Sequence, residues 1–168
     1  MKIRTKHKII FPFIIMGLEY MLVEIIFKAG YGSMVGYRDI RYLSLIGYTS
    51  LWMMLVGGLA GIFIGQLNEK PGFSDWKIIW MCLSGAFIVL LLEFSFGIIF
   101  NICLKLNLWD YSNIPLNIMG QVCLPFGLAW FFLTPLAIWM DDLLYFILYD
   151  KGKLYSLWGL YRKLFTLK

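Results

Sequence analysis

The sequence predicts an all-α fold. It reads as a polytopic membrane protein, a four-transmembrane-helix bundle with a C-terminal amphipathic interfacial helix, forming one integral membrane domain over residues 1–168. Three observations lead there. The chain is 61% apolar and only 15% charged, where a soluble domain has about half and a quarter. Its apolar residues gather into four runs long enough to cross a bilayer core, which takes ~20 helical residues. Its basic residues are unevenly shared among the segments that join those runs. The composition excludes a disordered chain and speaks against a water-soluble domain. The ~10-residue alternating segments of a membrane barrel are missing.

The first run is Ile9–Phe27, interrupted by Glu19 and Glu24, with Lys28 one turn beyond Glu24. That spacing favours an ion pair at the helix end. The second run is Leu43–Gln66. It carries Gly57, Gly61 and Gly65 at every fourth position, a stripe that lets a second helix approach closely, in this chain or in another copy. The third run, Ile78–Leu104, carries Glu93 and Gly97, and the fourth is Ile118–Met140, with Gly120 near its start. Inside hydrocarbon each backbone must satisfy its own hydrogen bonds, so all four are expected to be helices. Residues 143–168 mix Leu, Trp158, Tyr155, Tyr161 and Phe165 with Lys and Arg. They read as a basic amphipathic helix on the inner membrane surface, or as a solvated basic flank with belt aromatics.

Eleven of the 15 basic residues lie in the N-terminal segment, in the 66–77 loop or in the tail. Only Lys28, Arg38, Arg41 and Lys105 lie in the other two loops. Both termini are therefore expected on the cytoplasmic side of the plasma membrane. A cleaved leader is the rival reading of the N-terminus, but two glutamates and a 19-residue run do not suit one.

Several chemistries lack their signatures. There is no G-x-x-x-x-G-K-[ST] and no H-E-x-x-H, and His7 is the single histidine. Cys82, Cys103 and Cys123 show no C-x-x-C spacing and read as small apolar residues, with a Cys103–Cys123 bridge left open. No catalytic residue, metal, cofactor or nucleic-acid partner is expected.

Glu93 is the most informative position. A carboxylate at the bilayer centre costs at least ~2.5–3.5 kcal/mol, so it faces a cavity or a partner. No Lys or Arg falls inside the four runs. Glu93 therefore stays protonated or borders water; its bland reading is a neutral interhelical hydrogen bond. Asp141 and Asp142 read as a hydrated helix end. With the expected orientation, Glu24 and Asn101 fall in the outer half, Ser50 and Trp52 about two turns in from the outer surface, and Glu93 just below them at mid-depth. The loop Trp109-Asp110-Tyr111-Ser112 lies above them, and Asn117 and Gln121 sit one turn apart where the fourth helix begins. Such a layer is what a polar pocket open to the outer leaflet needs. Gly57, Gly61, Gly65, Gly97 and Gly120 are the helix-packing candidates.

Those residues carry a resemblance. Glu24-Ile-Ile-Phe27, Thr49-Ser-Leu-Trp-Met53, Glu93-Phe-Ser-Phe-Gly97 with Asn101, Trp109-Asp-Tyr-Ser112, Asn117-Ile-Met-Gly120-Gln121, Leu124-Pro125 and Trp130 occur in order. Over roughly Gly17 to Tyr149 the chain resembles the bacterial CmpB-like family of type-IV ABC-transporter membrane proteins. One departure stands at Gly57-Gly58, where the family tends to place Tyr-Gly. The resemblance implies a permease-like transport component and supplies no catalytic residue or substrate. Four helices are few to enclose a path, so a homo-oligomer or a second subunit is implied, together with membrane lipids and a separate ATPase chain docking on the basic tail or the 66–77 loop. Two other functions compete. One is a structural or assembly protein whose polar residues only lock the bundle. The other is an intramembrane lipid-acting enzyme using Glu93, Asp110 and Asn117, which no nucleophile–base pair supports.

Overall fold

The computed structural model describes residues 7–34, 47–67, 69, 77–150, 152 and 154–166, with the backbone course alone for 7, 8 and 31–34. Residues 43–46 of the second run, most of the 66–77 loop, and Lys2, Arg4, Lys6, Arg38, Arg41, Lys70, Lys151, Lys153 and Lys168 lie outside the described residues.

Five α-helices are described: α1 His7–Met34, α2 Leu51–Gly65, α3 Ile78–Gly97, α4 Leu124–Tyr149 and α5 Leu157–Thr166. A π-helical segment, Ile98–Cys103, continues α3, and a hairpin of β1 Asn117–Ile118 and β2 Val122–Cys123 precedes α4. Three stretches are long and apolar enough to cross a membrane: Ile9–Gly30, Ile78–Cys103 and Leu124–Tyr149. The chain is an integral membrane protein by that measure.

Two expected spans change on folding. Helix α2 starts at Leu51, not within the early part of the Leu43–Gln66 run. Ser50 has extended backbone angles, and its hydroxyl accepts from the Trp52 amide at 3.3 Å, which is an N-cap. Its 15 residues cover about 22 Å, short of the ~30 Å core. Ser50 and Trp52 consequently stand at the helix end and not two turns inside it. The fourth run likewise does not become helix at Ile118. Met119 (φ 53°) and Gly120 (φ 68°) are both left-handed, and the Gln121 amide donates to the Ile118 carbonyl at 3.0 Å. Two positive φ angles in succession make a type I′ hairpin turn. Helix α4 then begins at Leu124, with Pro125 in its first turn, and runs past Met140 to Tyr149.

The helices alternate in direction, giving the bundle a hairpin end, where α4 begins, and an opposite end, where α1 begins. Contacts are most extensive between α1 and α2 and between α3 and α4, and sparse between α1 and α4. The glycine stripe explains the first pairing. A Cβ at Gly57 would overlap Tyr20, one at Gly61 would overlap Met16, and one at Gly58 would lie 2.7 Å from the Phe13 ring. Helix α1 answers with Gly17, whose Cβ would lie 2.5 Å from the Met54 carbonyl oxygen. Gly65 faces the Asp141 carboxylate of α4. The stripe thus serves pairing inside one chain. Asp141 is 1% exposed, so the hydrated-end reading of that residue is corrected: α4 continues for two more turns beyond it.

Helix α5 occupies only part of the expected 143–168 tail, the first seven residues of which belong to α4. Leu157, Leu160, Tyr161 and Leu164 share one face, and Leu164 is buried. That face folds back onto α3 and α4. Tyr161 donates its hydroxyl proton to the Phe132 carbonyl at 2.9 Å, and Trp139 donates to the Tyr155 carbonyl at 2.9 Å. Arg162, Lys163, Trp158 and Phe165 stay exposed. The three cysteines are free thiols.

Candidate functional site

Three helices converge on Glu93. Tyr20 of α1 donates its hydroxyl proton to Glu93 Oε1 at 2.5 Å, and Trp130 of α4 donates its indole N–H to the same oxygen at 3.1 Å. The two rings stack on each other, with centroids 4.9 Å apart and planes 15° apart. Glu93 is 2% exposed. Its other oxygen, Oε2, is buried and has no hydrogen-bond partner among the described residues. A buried polar atom in that condition is uncommon and calls for a reason.

About two turns nearer the hairpin end, a second cluster gathers around Asn101. The Asn101 side-chain amide donates to Gln121 Oε1 at 2.8 Å and to the Trp109 carbonyl at 3.0 Å. Its oxygen accepts from the Leu108 amide at 2.7 Å. Gln121 donates to the Met119 carbonyl at 2.9 Å, and its own carbonyl accepts from the Trp109 indole at 3.0 Å. The π-helical segment helps to turn Asn101 inward. Its i→i+5 bond, Leu104 amide to Ile99 carbonyl at 2.9 Å, puts more residues in a turn. A step of four then falls short of a full turn, where in an α-helix it overshoots by ~40°. The drift from Glu93 to Gly97 is thereby partly undone by Asn101, and all three are buried. Gly97 makes the space: a Cβ there would lie 2.5 Å from Gln121 Oε1.

The hairpin clamps this cluster from above. Asp110 Oδ1 accepts from the Ser112 amide at 2.8 Å and from its hydroxyl at 2.5 Å. These hydrogen bonds, the hydroxyl's first, lower the Asp110 carboxyl below its ordinary value of 3.8. Asn117 donates to the Ile114 carbonyl at 2.8 Å, and its oxygen accepts from the Gly120 amide at 3.0 Å. Tyr111 stacks on Phe126 of α4, with centroids 4.6 Å apart. Asn117 and Gln121 are therefore hairpin residues, not the first turn of a helix. Gly120 is a turn glycine, where a Cβ would meet Ser112 Oγ at 2.5 Å and Asp110 Oδ1 at 2.7 Å. It does not pack helices.

Glu24 stands apart. It pairs with Lys28 at 2.6 Å and accepts the Thr49 hydroxyl proton, while Lys28 lies 4.5 Å from the Tyr48 ring centroid. Trp52 is half-exposed and packs on Phe100, with centroids 4.8 Å apart. The expected residues thus form three groups: Asn101, Trp109 and Gln121 under the Asp110–Asn117 loop; Glu24 with the start of α2; and Glu93 with partners that sequence reasoning did not select for the site. Tyr20 was missed altogether, and Trp130 entered only through the resemblance. A usable signal existed: Tyr and Trp favour the membrane interfaces, and these two lie well inside their helices.

Beside the Tyr20–Trp130 pair runs a cavity of about 240 Å³. One face of α1 lines it, Met16, Glu19, Tyr20 and Val23, and so does one face of α2, Gly57, Ala60, Gly61 and Ile64. Trp130, Thr134 and Ala137 of α4 close the other side. It follows the sparse α1–α4 seam and lies at mid-depth of both helices.

A protein family described as "Putative ABC-transporter type IV" matches residues 44–151. The chain belongs to that family. The matched stretch holds α2, α3, the hairpin and α4, and with them Glu93, the Asn101–Gln121 cluster and Trp130. Tyr20 and Glu24 precede it. No solved structure matches the chain.

Proposed function

We propose that this family member is the permease-like membrane subunit of an ABC-type transporter, that a separate ATPase chain drives it, and that it catalyses no reaction itself. The observation that carries this reading is the unequal treatment of two polar groups. Each side-chain oxygen and nitrogen of Asn101 and Gln121 has a hydrogen-bond partner in the other or in backbone, so these amides hold the bundle together. Glu93 is equally buried, yet one of its oxygens is left open. An unengaged carboxyl at membrane depth belongs to a working site more readily than to a lock. The expected outer polar layer then acts as the rigid cap of a site centred lower, on Glu93 and the α1–α4 seam. Both termini face the cytoplasm in this reading, placing the hairpin outside.

The completed Asn101 cluster also favours a second reading, an assembly protein in which every polar residue is adhesive. Purification of the full chain from native membranes in mild detergent separates the two. A P-loop ATPase recovered in fixed ratio, with ATP hydrolysis that falls severalfold in a Glu93→Gln complex, supports transport. Recovery with other membrane proteins only, or full activity of the Gln variant, supports the assembly role, because an amide still accepts from Tyr20 and Trp130.

A further inference from the structure

The hairpin that precedes α4 carries an apolar edge that the polar cluster beneath it does not use. Leu116, Ile118 and Met119 are 71%, 58% and 62% exposed. Leu116 and Met119 hold left-handed backbone angles, φ 56° and 53°. Bulky residues disfavour that region, and such conformations persist only where surrounding contacts fix them. Asn117, between the two, supplies those contacts. Its side chain donates to the Ser112 and Ile114 carbonyls and accepts from the Gly120 amide. The chain thus holds a strained turn in place, and that turn presents three large apolar side chains.

Three observations point to hydrocarbon as the surroundings of this edge. The first is continuity. The Leu124 amide donates to the Leu116 carbonyl at 3.1 Å, so the edge adjoins Leu124, Leu128 and Phe132, which follow at every fourth position along an exposed face of α4. No charged residue occurs between Asp110 and Asp141. The second is depth. Gly85 of α3 faces Thr134 of α4, which sets Lys77, the exposed cap residue of α3, level with Asp141. Leu124 stands 17 positions from Asp141, about 26 Å along the helix. A bilayer core measured from that level extends ~30 Å, beyond Leu124 and into the hairpin. The third is the backbone. The carbonyls of Leu116, Ile118 and Gly120 accept the amides of Leu124, Gln121 and Tyr111, and the Met119 carbonyl accepts from the Gln121 side chain. Non-helical backbone at membrane depth needs such partners, whereas a loop in water does not.

We propose that the hairpin is re-entrant: Leu116, Ile118 and Met119 are seated among the phospholipid acyl chains of the leaflet at that end of the bundle, while the exposed Asp110, Ser112 and Asn113 stay in water. The hairpin completes the crossing that α4 alone leaves short. This accounts for an apolar run that begins at Ile118, six residues before the helix itself. The inference does not rest on the transport reading, since it concerns only what covers the hairpin.

The test uses the full-length protein in phospholipid nanodiscs. In a cysteine-free background, a nitroxide is attached at Ile118→Cys, with Leu128→Cys as the reference in lipid and Asn113→Cys as the reference in water. Relaxation by oxygen, which concentrates in hydrocarbon, is compared with relaxation by a water-soluble nickel chelate. The Ile118 label should match the Leu128 label, open to oxygen and about tenfold less accessible to nickel than the Asn113 label. Nickel access equal to that at Asn113 would overturn the proposal, because the edge then faces water or a soluble partner. Shielding from both reagents with spin–spin broadening would overturn it in favour of a second copy of the chain. If the labelled variant does not fold, the unaltered chain decides. Hydrogen peroxide should oxidise Met119 to its sulfoxide about tenfold more slowly in nanodiscs than in the unfolded chain, and equal rates would overturn the proposal.

Discussion

Asn101 shows what a single amide does at membrane depth. It joins the end of α3 to the following loop and to the hairpin through three hydrogen bonds. Truncation strands the Leu108 amide, the Trp109 carbonyl and Gln121 Oε1 away from water, and each stranded group costs about 1–3 kcal/mol. Asn101→Ala should therefore lower unfolding stability in micelles by at least ~1–3 kcal/mol, measured by thermal or denaturant melting; a change within error would mean that other groups or water replace it. Asp110 offers a pH test. Its carboxyl is lowered by hydrogen bonds from Ser112, so it contributes stability that is fully present above pH 3.8 and lost as the pH falls through the lower folded-state value. The protection of the Ser112 amide against exchange, relative to its intrinsic rate at each pH, should fall on acidification below pH 3.8, and Asp110→Asn should remove that dependence. The group is exposed, so the effect is local to the hairpin.

Among the elements, α2 depends most on its neighbours. At 15 residues it is short, and its glycine face lies flush on α1. Gly61→Leu drives a branched side chain into Met16, and overpacking of that kind costs about 1–3 kcal/mol. The variant should show a lower melting temperature and a lower folded yield than Ile62→Leu on the adjoining face; equal behaviour of the two would deny the close α1–α2 contact. The elements also show where reading by hydropathy runs out. The long apolar runs that became α1, α3 and α4 were legible, because twenty apolar residues in lipid have little choice but helix. The starts of α2 and α4 were not. Leu43–Gln66 and Ile118–Met140 are apolar on average, and those averages hide a Ser50 cap and a type I′ turn at Met119-Gly120. Both depend on local backbone geometry that hydropathy does not encode.

For the whole molecule, the testable consequence is sidedness. In a cysteine-free background, a Cys at Ser112 should react with a membrane-impermeant maleimide added to intact cells. A Cys at Ser156 should react only after permeabilisation. Labelling of both from the outside would exclude the orientation that the basic residues imply. The composition, the charge bias and the polar positions Glu93, Asn101 and Gln121 were all readable along the chain, since each rests on residue type and linear spacing. Which of these groups would be engaged and which left open was decided only by folding. Tyr20 and Trp130 lie 73 and 37 positions from Glu93, and nothing in linear spacing predicts that their donors meet at one carboxylate oxygen. The cavity beside them has the same origin: it exists because α1 rests on the glycines of α2 while standing off from α4, and a gap between surfaces is a property of packing that no single segment carries.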